Sequence, residues 1–151
     1  GAWIADSYYR GESPESFVDG WLRTGDVAVI DSEGYVKLVD RIKDVIKSGG
    51  EWISTIELEN ALMSHPAIEE AAVIGVPHER WQERPIAIVV LREGHSVTEE
   101  ELKEYLRERF VRWWVPDAFV FVDELPKTST GKLAKATLRE RFRDWKWEES
   151  K

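Results

Sequence analysis

The chain has no cysteine, and of its 151 residues only Asn60 is asparagine, only Gln82 glutamine and only Met63 methionine. Without cysteine there is no disulfide, no thiol nucleophile and no thiolate zinc site, a composition that suits the cytoplasm, where the protein is expected. Few amides beside 33% charged residues is a pattern found in thermophile proteins. No apolar run approaches the roughly 20 residues that cross a bilayer, so no transmembrane segment is expected. Residues 1–10 lack a basic stretch followed by an apolar one, so none of them reads as a signal peptide. Positive charge is also short: the net charge is -8 and the isoelectric point about 5.0. That excludes bulk attraction to nucleic acid or to acidic membranes. His65, His78 and His95 share no i, i+4 spacing, so they form no metal cluster, and no Ser/His/Asp nucleophilic set can be argued.

What is plentiful is tryptophan, with 8 residues. Trp113-Trp114, Trp145 and Trp147 can be read as stacking platforms for bases, but the acidic balance favours core or interface packing. The length suits one domain, or one small domain plus a piece of another. Residues 1–20 carry Gly, Ser, Pro and Tyr without a period and read as irregular. Val27 to Ile30 and Tyr35 to Val39 read as strands, with Asp31-Ser32-Glu33-Gly34 as their turn. A two-stranded hairpin is marginal alone and asks for a partner surface; its exposed edges invite self-association.

From Lys43 onward the pattern is that of a small α+β domain, an antiparallel or mixed sheet packed with helices. Asp44 to Lys47 and Glu51 to Ile53 can pair across Gly49-Gly50. Ser54-x-x-Glu57 reads as a capping box, followed by a helix with Leu58, Ala61 and Leu62 on one face. Ile68 to Val76 and Ile86 to Leu91 are nearly continuous apolar runs, hence buried strands, separated by a polar loop from Pro77 to Pro85. Thr98-x-x-Glu101 is a second capping box, and helical spacing continues through Leu102, Leu106, Phe110 and Trp114. Ala118 to Val122 reads as a strand. A loop from Pro126 to Lys132 leads to a last helix with Ala134, Leu138, Phe142 and Trp145 on one side.

Three places in this chain are able to carry chemistry. Gly49-Gly50 is either a plain hairpin turn or a point where a ligand approaches the backbone closely. Thr128-Ser129-Thr130-Gly131-Lys132 lacks the leading glycine of a phosphate-binding loop, and Leu133 stands where Ser or Thr is required. What remains is a lysine on a flexible loop, either a solvated surface residue or a mobile charge for a phosphate or carboxylate. Asp26 and Arg41 flank the first hairpin; they suit a ribose, one accepting and one donating, or they form a salt bridge.

Gly20-Trp21-Leu22-Arg23-Thr24-Gly25-Asp26, Asp40-Arg41-Ile42-Lys43-Asp44-x-Ile46-Lys47-x-Gly49-Gly50-Glu51 and Leu125-Pro126-Lys127-Thr128-x-x-Gly131-Lys132 stand in order along the chain. Together they resemble the motifs of the adenylate-forming superfamily, which includes acyl-CoA synthetases, luciferases and peptide-synthetase adenylation domains. Gly49 to Ser54 and Trp81-Gln82-Glu83-Arg84-Pro85 resemble its medium- and long-chain fatty acyl-CoA ligase branch. The resemblance implies an ATP-dependent, AMP-forming ligase: a carboxylate and ATP give an acyl-adenylate and pyrophosphate, then coenzyme A displaces AMP.

The resemblance also implies roles. Residues 1–41 would be the tail of a large N-terminal adenylation domain and residues 42–151 its mobile C-terminal lid. Asp26 and Arg41 would hold the AMP ribose, Lys132 would be catalytic in adenylation, and Lys43 would be the hinge. Gly49 and Gly50 would line the pantetheine tunnel. Trp52, where many members carry Arg, would be an apolar wall near the adenine or acyl channel. The intact enzyme would use ATP, coenzyme A, Mg2+ and a fatty acid, with no metal bound by these residues. The chain alone would be inactive and bind none of them tightly. A ligase for an aryl or short-chain acid, and a stand-alone protein-interaction module, are the alternatives.

Overall fold

The computed structural model describes Trp3 and residues 5–147; Gly1, Ala2, Ile4 and residues 148–151 lie outside the described residues. The chain divides into two compact units, Gly1–Lys43 and Asp44–Lys151.

The first unit is built from short pieces. Single 3-10 turns at Tyr9–Gly11 and Pro14–Ser16 precede two antiparallel two-residue strands, β1 (Phe17–Val18) and β2 (Trp21–Leu22). The stretch expected to be irregular thus holds a minimal hairpin. β3 (Asp26–Ile30) and β4 (Val36–Arg41) form the second hairpin, antiparallel as the alternation requires. Its turn is fastened by Asp31, whose Oδ1 accepts from the N–H groups of Glu33 and Tyr35 at 2.9 Å each. No apolar side chain among the described residues of this unit is buried, and Val29, Ile30, Tyr35, Val36 and Leu38 are exposed.

The second unit is organised on a five-stranded sheet in the order β6-β5-β8-β7, with β9 also paired to β8. Its strands are β5 (Ile46–Ser48), β6 (Glu51–Ile53), β7 (Ile68–His78), β8 (Gln82–Leu91) and β9 (Ala118–Phe121). All pairings are antiparallel except β8 with β9, so the sheet is mixed. Three helices pack on it: α1 (Thr55–Met63), α2 (Glu99–Arg107) and α3 (Lys135–Arg141). The parallel β8–β9 step needs a crossover, and α2 supplies it.

The apolar runs of β7 and β8 have a direct cause. Ala71, Val73, Ala87 and Val89 face a core closed by α1 and α2, which contribute Leu58, Leu62, Leu102 and Leu106. The alternate residues Ala72, Ile74, Ile86 and Ile88 face a second core that contains Leu125 and Leu138. With both faces covered, neither strand needs to alternate polar and apolar residues. Both helix starts read from the sequence are capped. Ser54 Oγ accepts from Glu57 N–H at 3.3 Å, and Thr98 and Glu101 form the reciprocal box.

Three expectations are corrected. Pro77 to Pro85 is not a polar loop: Pro77 pairs with Glu83 and His78 with Gln82, leaving Glu79-Arg80-Trp81 as the connection. Backbone pairing carries the strands past the point where apolar side chains stop, and His78 Nδ1 accepts from the N–H groups of Arg80 and Trp81 to hold the turn. The second helix ends at Arg107, and the chain is extended by Val111. Phe110 and Trp114 still stack, 5.7 Å apart, outside the helix. The last helix ends at Arg141, and Phe142, Trp145 and Trp147 fold into an edge-to-face aromatic cluster against the second core.

Candidate functional site

The hairpin of the first unit brings Asp26 and Arg41 together. They are register partners at its open end, because the first residue of one antiparallel strand faces the last of the other. Arg41 Nε lies 3.6 Å from Asp26 Oδ1, and Arg41 Nη2 donates to Thr24 O at 3.4 Å. Both side chains are substantially exposed, so the pair contributes little stability. Residues far apart in sequence therefore present a carboxylate and a guanidinium side by side to solvent. Lys43 closes this unit, and the division between the units falls directly after it.

In the second unit Gly49-Gly50 is the turn between β5 and β6, with Ser48 paired to Glu51. Both glycines have positive φ, +58° and +90°, as a two-residue hairpin turn of this hand demands. Their surroundings differ. A Cβ on Gly49 would lie 2.8 Å from the Trp81 ring, whereas one on Gly50 would meet nothing within 4 Å. Gly49 is thus required by a neighbour inside the chain, and Gly50 by its backbone and an open side. Gly49 N–H also donates to Trp81 O at 2.9 Å, tying this tip to the β7–β8 turn. Trp52 is exposed on β6 opposite Lys47, whose Nζ lies 6.0 Å from the centre of its ring.

Beside Gly49 opens a hollow of about 470 Å³, lined by Ser48, Glu51, Trp81, Arg112 and Trp113 among others. Arg84 stands at its base, 8% exposed, and all five of its N–H bonds are used. Nε and Nη2 fork onto Asp117 at 2.7 Å each; Nη1 donates to Ser48 Oγ at 3.1 Å and Trp113 O at 2.8 Å, and Nη2 to Val115 O at 3.4 Å. This full set offsets the cost of burying a guanidinium. Sequence reasoning used Arg84 as a branch marker and missed this role. Its partner Asp117 lies 33 residues on, and an Arg-Pro pair opening an apolar run was the one local signal.

Lys132 stands at the end of a hydrogen-bonded turn. Thr128 N–H donates to Lys132 O at 2.7 Å, Lys132 N–H to Thr128 Oγ1 at 3.2 Å, and Gly131 N–H to Thr128 O at 2.9 Å. Lys127 and Leu133 bridge the base of the turn, and Gly131 takes the positive φ, +79°. Five other cations lie between Lys127 and Arg143, and each is engaged: Lys127 with Glu70, Lys135 with Glu59, Arg139 with Asp44, Arg143 with Glu140, and Arg141 over the Phe142 ring. The Lys132 ammonium alone in this stretch has no partner among the described residues, and it is exposed. Lys127, hydrogen-bonded to Glu70, has its pKa raised by that bond and by the carboxylate's charge. The described residues hold no group of three His, Asp or Glu able to bind a metal, and no helix long and apolar enough to cross a membrane.

The model of the AMP-binding enzyme C-terminal domain matches residues 57–132. The long-chain-fatty-acid CoA ligase of Thermus thermophilus is 53% identical over 149 residues, covering 96% of this chain and 27% of that protein. The 3-methylmercaptopropionyl-CoA ligase of Ruegeria lacuscaerulensis is 51% identical over 144 residues, covering 95% of this chain and 27% of that protein. The crystal structure of ATP-bound MatB from Rhodopseudomonas palustris superposes with a TM-score of 0.83 at 34% identity, over 91% of this chain and 28% of that one. The chain thus spans about a quarter of the length of the relatives it matches. Carrying the motifs of the adenylate-forming superfamily, it belongs to the family of AMP-binding enzyme C-terminal domains.

Proposed function

We propose that the chain is the mobile C-terminal lid, with the adjoining tail of the large domain, of an ATP-dependent, AMP-forming fatty acyl-CoA ligase. The observation that carries this reading is 53% identity along nearly the whole chain to a ligase of that name. Residues 1–41 are read as the tail of the large domain and 42–151 as the lid. The intact enzyme is proposed to take a fatty acid, ATP, Mg2+ and coenzyme A in the cytoplasm. A carboxylate oxygen attacks the α-phosphorus and expels pyrophosphate; the thiol sulfur then attacks the acyl carbon and expels AMP. With about a quarter of the relatives' length present, the chain alone is expected to show no turnover and no tight nucleotide or coenzyme binding.

The residues fit these tasks. Asp26 and Arg41, exposed side by side, supply an acceptor and donors for the ribose hydroxyls. Lys132 is a cation on a hydrogen-bonded turn with its ammonium open, suited to stabilise charge on the carboxylate and α-phosphate as the bond forms. Gly50 leaves a path beside the β5–β6 tip for the pantetheine arm, and Gly49 lets Trp81 wall it. Lys43, at the boundary of the units, is read as the hinge, and Trp52 as an apolar wall of the adenine or acyl channel. The exposed face of β3 and β4 is proposed to be covered by the large domain; without it, the hairpin is proposed to pair with another copy.

Two variants of the full-length protein test the reading, with thioester formation assayed on acids of graded chain length. Lys132→Ala is expected to cripple adenylation while sparing thioester formation from supplied acyl-adenylate. Gly50→Leu is expected to do the reverse. Equal loss of both half-reactions in either variant rules out the division of labour, and a preference for aryl acids rules out the fatty acyl assignment.

A further inference from the structure

Helix α3 begins against the local rules. Its N-cap is Ala134, which offers no side-chain acceptor, and its first residue is a lysine. A cation there opposes the helix dipole, and only Leu138 of the helix is buried. A short helix with a poor start and one buried anchor needs another reason to stay in place. That reason lies in two ion pairs. Lys135 Nζ lies 2.8 Å from Glu59 Oε1 and donates to Thr55 Oγ1 at 2.7 Å, with Lys135 and Glu59 only 12% and 10% exposed. Glu59 Oε1 also accepts from Val73 N–H at 2.7 Å, so the lysine is tied through one carboxylate to α1 and to β7. One turn further on, Arg139 Nη1 pairs with Asp44, the first residue of the second unit. Lys132 lies three residues before Lys135, and Ala134 N–H closes onto Pro126 O at 2.8 Å. The turn that presents Lys132 is thus set directly on this tethered helix.

We propose that Lys135 and Arg139 are positioning residues for Lys132: their tethers to Thr55, Glu59 and Asp44 fix where the Lys132 ammonium is held during adenylation. The proposal rests on the functional reading above. The Gly49–Gly50 tip is held by other contacts: Gly49 N–H donates to Trp81 O, and Arg84 Nη1 donates to the neighbouring Ser48 Oγ. Loosening α3 should therefore leave the thioester step alone.

The test uses the full-length ligase, with pyrophosphate exchange reporting adenylation and supplied acyl-adenylate reporting thioester formation. Displacing a charge by about an ångström is enough to slow its step by up to about a hundredfold. Lys135→Met is accordingly expected to lower adenylation by at least about tenfold, and Arg139→Gln by a smaller factor. Thioester formation should stay within about twofold for both. In a Lys132→Ala background the same changes should have no further effect on adenylation, because they act through that lysine. Equal loss in both half-reactions, or an undiminished loss in the Lys132→Ala background, overturns the proposal. If Lys135→Met does not fold, Arg139→Gln carries the test alone on the same criteria. If Lys132→Ala itself leaves adenylation intact, the functional reading fails and this proposal with it. If Lys132→Ala abolishes adenylation while Lys135→Met and Arg139→Gln change nothing, only the positioning role falls.

Discussion

The two units obey different rules of construction. In Gly1–Lys43 strands pair, but no described apolar side chain is buried, and Asp40 is the one buried residue among those described. In Asp44–Lys151 one sheet is covered on both faces, and polar side chains seal its seams: Glu59 with Lys135, Arg84 with Asp117. The difference teaches where stability and chemistry are held. Asp26 and Arg41 meet through strand pairing within one hairpin, while the local turns at Gly49 and Lys132 are also tied to distant residues, Gly49 N–H to Trp81 O and Lys127 to Glu70.

The largest test of that contrast is Glu59→Ala. It leaves Lys135 without its carboxylate and Val73 N–H without its acceptor, and is expected to cost about 3–5 kcal/mol in a denaturant melt. A loss below about 1 kcal/mol would show that the seam behaves like a surface pair. Next come matched truncations. Leu62→Ala, in the first core, is expected to cost about 2–5 kcal/mol, and Leu38→Ala, on the exposed hairpin, no more than about 0.5 kcal/mol. Equal costs would erase the distinction between the units.

The smallest effect is one of pH. Glu101 has its pKa lowered, first by the Thr98 backbone N–H and then by its hydroxyl. A carboxylate whose pKa falls on folding adds stability that is present above its unfolded value, near 4.5, and is lost as pH falls through the lowered one. Glu101→Gln should flatten that part of the acid limb of a stability profile. An unchanged limb would remove the cap as its source.

What the sequence made legible follows from the range of each signal. The β3–β4 hairpin, both helix caps and the Gly49–Gly50 turn are set within a few residues, and each lies where local chemistry places it. The motifs around Asp26, Arg41 and Lys132 were legible as a pattern. The Asp26–Arg41 meeting followed from strand pairing once the hairpin was recognised. Three features were hidden because their causes are distant or purely backbone. His78, Gln82, Glu83 and Arg84 are polar, yet pair as strand. Phe110 and Trp114 keep helical spacing after the helix has ended, because they stack on each other. Arg84 needs Asp117, Ser48 and two carbonyls that converge only in three dimensions.

Glu59 has one more consequence, for the behaviour of the protein in concentrated solution. β7 is eleven residues long and lies at the outside of its sheet. A strand of that length on a sheet border is a template on which a second chain can add, copy after copy. Here a carboxylate already occupies the Val73 N–H near its middle, and Lys135 neutralises that carboxylate. An incoming strand would have to evict the carboxylate and leave a lysine ammonium behind without its partner. The bond that secures a helix therefore also adds a cost to strand addition along this side of the sheet.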